Sequence, residues 1–436
     1  MDWQDDEVLR AINWLTSFAD KRSFFERMEA VRSRFLEARS AWTSGELVSL
    51  YNLRDAAAWY MFQANAYAQE RLHWIPEEAA RIVPSLTRIA MELGDLSSIS
   101  GVEERVSRFM NAERAQPDGG LFELLVALAY KRHGWKVEFV PEMPGIARTY
   151  DIKVEKGRRR WAVECKRLNR SGYEMKEKMR GKQLAKPLHE LALNASRSVV
   201  VQVAYKVELH EVPDDYLVRH LRTFLGGTAP HAWSDSEGRG VIRDVNWGLA
   251  HKVLAADDVY YGSSRMIELL VGRYNHDFSH SMAAKWRPSE RSPFWAEAVY
   301  QASVVSWLSA SADAVFKKAG HFRKVVAGAA GQIQCDRPGV VHVGVESWGG
   351  TTTDAIRHFL NAKEMRDFDA SGSRLRWVYA DYLAPEVTTR SYESWAVEET
   401  VVSYRIGRHS VGEPLPGHML LTPENRSRHG VHWASI

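Results

Sequence analysis

Apolar residues recur at helical spacing through the first quarter of the chain. Leu9, Ile12, Leu15 and Phe18 form one stripe, and Leu47–Leu72 reads as a long helix rich in Ala, Tyr and Trp. Pro76, Pro84 and the stretch between Gly94 and Gly101 punctuate two or three more helices. The pattern predicts a helical domain over residues 1–115. The texture changes at Gln116-Pro117-Asp118-Gly119-Gly120, a turn-forming run. An apolar helix is then expected from Leu121 to about His133, stopped by Gly134. Three short strands follow: Trp135–Val140, Ala147–Val154 and Arg159–Cys165. Pro141, Pro144 and Gly145 separate the first two, and Glu155-Lys156-Gly157-Arg158 turns the second into the third. A polar, basic helix over Tyr173–Leu193 and a β-branched strand over Ser198–Val207 complete a unit spanning 116–210. Its order is helix, three strands, helix, strand, an α/β sandwich with the sheet between helices.

Residues 211–436 continue as mixed α/β. Met266–Val271, Val340–Val345, Leu375–Ala380 and Val401–Tyr404 read as strands, and Tyr216–Phe224, Ala310–Ala330 and Thr353–Glu364 as helices. The fold class expected is therefore α/β and multidomain. This last region is either a domain of its own or an elaboration of the same sheet.

Strand alternation sorts the chemistry onto faces. Tyr150, Ile152 and Val154 share one face of the second strand, and Thr149, Asp151 and Lys153 the other. On the third strand Trp161, Val163 and Cys165 oppose Ala162, Glu164 and Lys166. A hairpin joining the two brings Asp151 near Glu164 and Lys166. Two close carboxylates repel unless a cation lies between them. Mg²⁺ suits an oxygen-only site completed by waters and substrate phosphate. Lys166 points into the same space, where it can activate a water or stabilise charge on a phosphate. Glu123 adds weight, because the other nine residues of Leu121–Tyr130 are apolar or aromatic. A carboxylate in such a helix is costly unless a charge or strong donor compensates it. Cys165 points away from Glu164 and Lys166 and reads as a core thiol rather than a nucleophile.

These residues resemble the PD-(D/E)XK nuclease superfamily, with its restriction-endonuclease-like fold. The pattern matches at the aspartate of Tyr150-Asp151, at Glu164-Cys165-Lys166 and at the preceding helical acid, Glu123. The resemblance spans about residues 118–208. Tyr150 stands where the superfamily name has proline, and Gln183 is a weak match to a glutamine some nucleases carry. The resemblance implies that Asp151, Glu164, the backbone carbonyl of Cys165 and Glu123 hold Mg²⁺ or Mn²⁺, with Lys166 assisting the attacking water. It implies hydrolysis of phosphodiester bonds, in DNA rather than RNA, in restriction, anti-phage defence or repair. The alternative is a silent nuclease fold that binds nucleic acid or serves a larger complex. On the nuclease reading the helical domain would bind substrate or partner proteins, and the C-terminal half would form a homodimer or sense a ligand.

Charge and composition refine this picture. Formal net charge is only +3, yet residues 151–186 hold thirteen Lys or Arg against five Asp or Glu. Arg158, Arg159 and Arg160 at the hairpin, with Arg167 and Arg170 after the lysine, are the expected nucleic-acid contacts. The two cysteines, Cys165 and Cys335, form no CxxC pair, which argues against thiolate zinc or a disulfide framework. An acidic Met1–Asp6 and the absence of an 18-residue apolar run predict a cytoplasmic protein without a membrane span. Ala298–Phe316 comes nearest to such a run. His276, Asp277 and His280 read as a polar loop, Asp354 and His358 as a surface pair, and Trp161 as core. No HExxH, GxSxG or Walker-type loop is present.

Overall fold

The computed structural model describes residues 5–43, 53–141, 149–168, 172–227, 230–290, 292–319, 322–333, 337–347, 350–370, 372–387, 389, 395–422, 431 and 433. Helices α1 (Asp6–Thr16), α2 (Lys21–Thr43), α3 (Ala56–Gln69), α4 (Pro76–Ala79), α5 (Val83–Met91), α6 (Leu93–Ser97) and α7 (Val102–Asn111) form a helical layer. Helix α8 (Asp118–Arg132) follows. It is buried on every side from Gly120 to Tyr130, as a helix apolar all round must be. Gly134, at φ +73°, ends it where expected: its N–H donates to the Lys131 carbonyl, and that of Trp135 to the Tyr130 carbonyl.

Strands β1 (Lys136–Phe139), β2 (Ile152–Lys156) and β3 (Arg159–Leu168) form an antiparallel meander. Gly157, at φ +59°, makes the two-residue turn between β2 and β3. The chain then leaves this sheet. Helix α9 (Gly172–Asn194) and strand β4 (Val199–Tyr205) belong to a second unit. That unit continues through α10 (Tyr216–Leu225), β5 (His231–Ser234), β6 (Gly238–Asp244), α11 (Trp247–Leu254), β7 (Val259–Tyr260), α12 (Ser264–Val271), β8 (Ser279–Ser289) and β9 (Ser292–Ser309). Its sheet runs β5-β6-β4-β9-β7, with β8 paired to β9. Helices α13 (Ala312–Ala319) and α14 (Phe322–Ala330) lead back to the first sheet. Strand β10 (Gly339–Glu346) lies parallel to β3, and after α15 (Thr351–Arg366), strands β11 (Leu375–Val387) and β12 (Trp395–Arg405) extend it.

The α/β class is thus as expected, but the nuclease-like unit does not close at residue 210. The strand expected to complete it pairs with β6 and β9, and β10 takes the place beside β3. The helical region is likewise no separate lobe. One apolar cluster runs from Val8 through α8 to Ile152, Val154, Trp161 and Val163. On the opposite face, Phe322, Val326 and Ala329 of α14 pack with Ala162, Val341, Val343 and Val378. The first sheet is therefore covered on both sides, and its buried β10 reads as a continuous Val-rich run.

Three local expectations are corrected. Met266–Val271 is helix rather than strand, because the Ser263 hydroxyl accepts from the Met266 N–H at 3.2 Å and Gly272 ends the helix at φ +90°. The single helix expected over Ala310–Ala330 is two helices, and most of Ala298–Phe316 is strand β9. Of the long helix expected over Leu47–Leu72, the described part is α3 and short turns. No described helix is long and apolar enough to cross a membrane.

Candidate metal centre

The sheet carries its acids where β2 begins. The alternation expected through 150–154 breaks there: Asp151 sits in a bend before β2, and Tyr150 packs with Ala162 on the α14 side rather than with Ile152 and Val154. The bend frees the Asp151 carboxylate to turn back on its own chain. Its Oδ2 accepts the Cys165 N–H at 2.8 Å, while the Asp151 N–H donates to the Val163 carbonyl at 3.1 Å. Asp151 is thereby fixed across β3 within two residues of Glu164 and Lys166.

Glu164 is fully buried and ion-paired with Lys166. Its Oε2 hydrogen-bonds to no described residue. Burial, then the charge of Asp151, pushes the Glu164 carboxyl up to about 8, against the opposing pull of Lys166. Glu123, 9% exposed on α8, is pushed up to about 8 by the same two causes. Burial alone would lower the Lys166 ammonium, but pairing with Glu164 outweighs it and the group is raised. The four residues singled out in the sequence therefore share one buried electrostatic neighbourhood. Cys165 faces the core, and burial raises its thiol well above its ordinary range, so it stays a neutral packing group.

One participant was not anticipated. Arg105 of α7 lies buried, with Nε 3.0 Å from Glu123 Oε2 and Nη2 3.6 Å from Asp151 Oδ1. Its guanidinium also stands over the Phe139 ring, 5.6 Å from the centroid. Gly120 brings α7 this close, since a Cβ there would fall 2.6 Å from Phe109. The signal was present in the sequence. Val102, Arg105, Val106 and Phe109 form one buried stripe, so Arg105 is a charge on an apolar face, as Glu123 is.

The expected nucleic-acid contacts are dispersed. Arg158 and Arg160 are exposed at the far end of the β2–β3 hairpin, roughly 13–20 Å from Glu164 at strand rise. Arg159 donates to the carbonyls of Gly412 and Glu413, both at 3.0 Å. Arg167 projects from the opposite face to Glu164, as parity requires, and pairs with Glu346 at 3.3 Å. It is not presented to the acids. Arg170 and Cys335 lie outside the described residues. Gln183 is exposed on α9, in the second unit. His276 and Asp277 lie in the turn before β8, where Asp277 accepts from the N–H and hydroxyl of Thr351, but His280 is on β8 rather than in a loop and bonds Ser306 and the Asn275 carbonyl. Asp354 is not a surface partner of His358. It is buried, bonded to Ser347 and Arg357, while His358 faces the Tyr404 hydroxyl. Trp161 is core.

The donor set suits a hard divalent cation by its chemistry: three buried carboxylates supply oxygen only, and burial with the charge of Asp151 holds Glu123 and Glu164 towards protonation. Their oxygens do not all lie within 4.8 Å of one another, as the ligand atoms of His342, Asp381 and His418 do, so a bound cation would have to draw them together. The chain matches no protein-family model, no curated protein sequence and no solved structure.

Proposed function

We propose that the chain is a divalent-metal-dependent nuclease whose centre is Glu123, Asp151, Glu164 and Lys166. The observation that carries this reading is that three buried acids and one lysine feel one another's charge beside the start of β2, with Glu164 ion-paired to Lys166. Asp151, Glu164 and Glu123 would hold Mg²⁺ or Mn²⁺, with the Cys165 carbonyl as a further ligand. When bound, the ion supplies Lewis-acid polarisation of a phosphate oxygen and of the attacking water. Because its ammonium is held above the ordinary lysine range, Lys166 is charged at neutral pH and serves to stabilise charge growing on the phosphate, not as a base. DNA is the favoured substrate on the strength of the superfamily resemblance alone.

Arg105 favours a second reading. It already supplies a cation to Glu123 and Asp151, as a binding module that has lost its metal would require. Cleavage of plasmid and oligonucleotide substrates with Mg²⁺ or Mn²⁺ separates the two. The first reading expects metal-dependent cutting that falls by about 10²–10³-fold in Asp151→Asn and Lys166→Met. Salt-sensitive binding of nucleic acid without cutting by the wild type selects the second.

A further inference from the structure

We propose that His342, Asp381 and His418 form a zinc-class metal site, separate from the carboxylate centre, that clamps the segment 406–422 onto the first sheet. The three side chains come from β10, β11 and the segment after β12, and all are essentially excluded from solvent. Their candidate ligand atoms lie within 4.8 Å of one another. His342 Nδ1 faces Asp381 Oδ2 at 3.2 Å, and His418 Nε2 faces Asp381 Oδ1 at 3.2 Å. One nitrogen of each ring is thus aimed at one oxygen of the same carboxylate.

The outer nitrogens are engaged in the manner metal-bound imidazoles require. His418 Nδ1 donates to the Leu415 carbonyl at 2.9 Å, and His342 Nε2 meets the Tyr130 hydroxyl at 3.4 Å. The Leu415 carbonyl fixes the His418 tautomer that leaves the inner nitrogen free for a cation, and the Tyr130 hydroxyl can accept from His342 Nε2 to do the same. Without a metal, His418 has only acceptors on both sides, the Leu415 carbonyl and the Asp381 carboxylate. A cation lying between the two rings and the carboxylate would meet the inner atoms of all three side chains at once. A divalent ion bound there displaces any proton from His418 Nε2, while His342 stays neutral with its proton on Nε2. It leaves two neutral imidazoles and a carboxylate, four donor atoms if Asp381 binds through both oxygens, and that N₂O₂ set suits Zn²⁺ better than Mg²⁺.

The segment being held has reason to be clamped. Residues 406–422 contain no helix or strand, yet Leu415 and Leu420 enter the main core. The segment is otherwise tied by scattered hydrogen bonds, from the Leu415 N–H to the Tyr379 hydroxyl and from the N–H groups of Leu421 and Thr422 to Glu399. A metal bridging two strands and this strap would contribute folding free energy directly.

The test is metal content and cobalt spectroscopy on the full chain. Wild-type protein is loaded with Zn²⁺, desalted and measured by mass spectrometry, and a demetallated sample is titrated with Co²⁺. We expect about one zinc per chain and the visible d–d bands of a low-coordinate cobalt site, with zinc falling about tenfold or more in His418→Gln. Glu164→Gln must retain both signals, which places the ion away from the carboxylate centre. Folded wild-type protein that holds no zinc and gives no cobalt bands overturns the proposal, as does equal retention by a folded His418→Gln. Should that variant fail to fold, the wild-type zinc content and cobalt spectrum alone decide.

Discussion

Replacing Glu164 by glutamine should make the metal-free protein more stable at pH 8 while abolishing metal-dependent chemistry. The carboxyl is fully buried, and its pKa rises from 4.5 to about 8 through burial and the charge of Asp151. The sign follows from proton binding. Between 4.5 and about 8 the unfolded chain releases this proton and the folded chain keeps it, so stability falls as pH rises through that window and levels off above it. Charged wholly to Glu164, the penalty is about 5 kcal/mol. Asp151 and Glu123 share that repulsion, and the swap also leaves Lys166 without its partner, though its ammonium is one-third exposed and can hydrate. A net gain of about 1–3 kcal/mol remains. For a chain this long a kcal/mol moves Tm by about 1 °C, so the variant should melt about 1–3 °C higher at pH 8 in EDTA. The difference should vanish near pH 5, where little of the penalty has developed. With sixteen tryptophans, intrinsic fluorescence resolves such shifts. Saturating Mn²⁺ should stabilise the wild type more than the variant and reverse the order. A Glu164→Gln protein less stable than wild type at pH 8 in EDTA would refute the idea that these acids are held together at a cost that only a cation repays.

Two further outcomes follow from the same geometry. Mn²⁺ affinity should rise about tenfold per pH unit for each proton displaced, between pH 6 and 8, and flatten above 8, because Glu123 and Glu164 must both ionise to bind it. Calorimetry in buffers of different ionisation enthalpy counts those protons, and pH-independent binding without proton release would contradict the assignment. Arg105→Met should destabilise the protein by about 3–5 kcal/mol in EDTA, since it strands Glu123 and Asp151 without their buried cation. Excess Mn²⁺ should recover a large part of that loss, and a loss indifferent to Mn²⁺ would show that Arg105 acts through packing alone.

The candidate residues were more legible in the sequence than the architecture around them, for a physical reason. Asp151, Glu164 and Lys166 lie on one hairpin, and hairpin register is local. Gly157 and the alternation of β3 suffice to set it, and the pairing of Ile152 with Val163 follows. Glu123 and Arg105 are each a charge on an otherwise apolar stripe, a pattern that a burial cost makes readable without knowing the partner. Applied to α7 as it was to α8, the same rule would have found both members of the ion pair. The dispersal of the arginines was readable in part: parity turns Arg167 to the opposite face and strand rise carries Arg158 and Arg160 away, but neither reveals Glu346, which reaches Arg167 from another strand.

The partner of β3 is the harder case. Parallel pairing leaves no signature in the sequence between the two strands, and both Val199–Tyr205 and Gly339–Glu346 are short Val-rich runs of the kind that fill a buried sheet. Proximity in the chain favoured the first, yet the second pairs with β3. The discriminating residue is Gly344, which weakens a strand interior unless another element approaches closely there. A Cβ at that position would lie 2.6 Å from Phe122, one residue before Glu123. β10 therefore carries the gap into which the Phe122 ring of α8 settles, one residue from Glu123. The strand that completes the candidate centre is thus selected by the shape that helix needs, whereas β4, with Gln202 and Ala204 on its half-buried positions, offers no comparable gap.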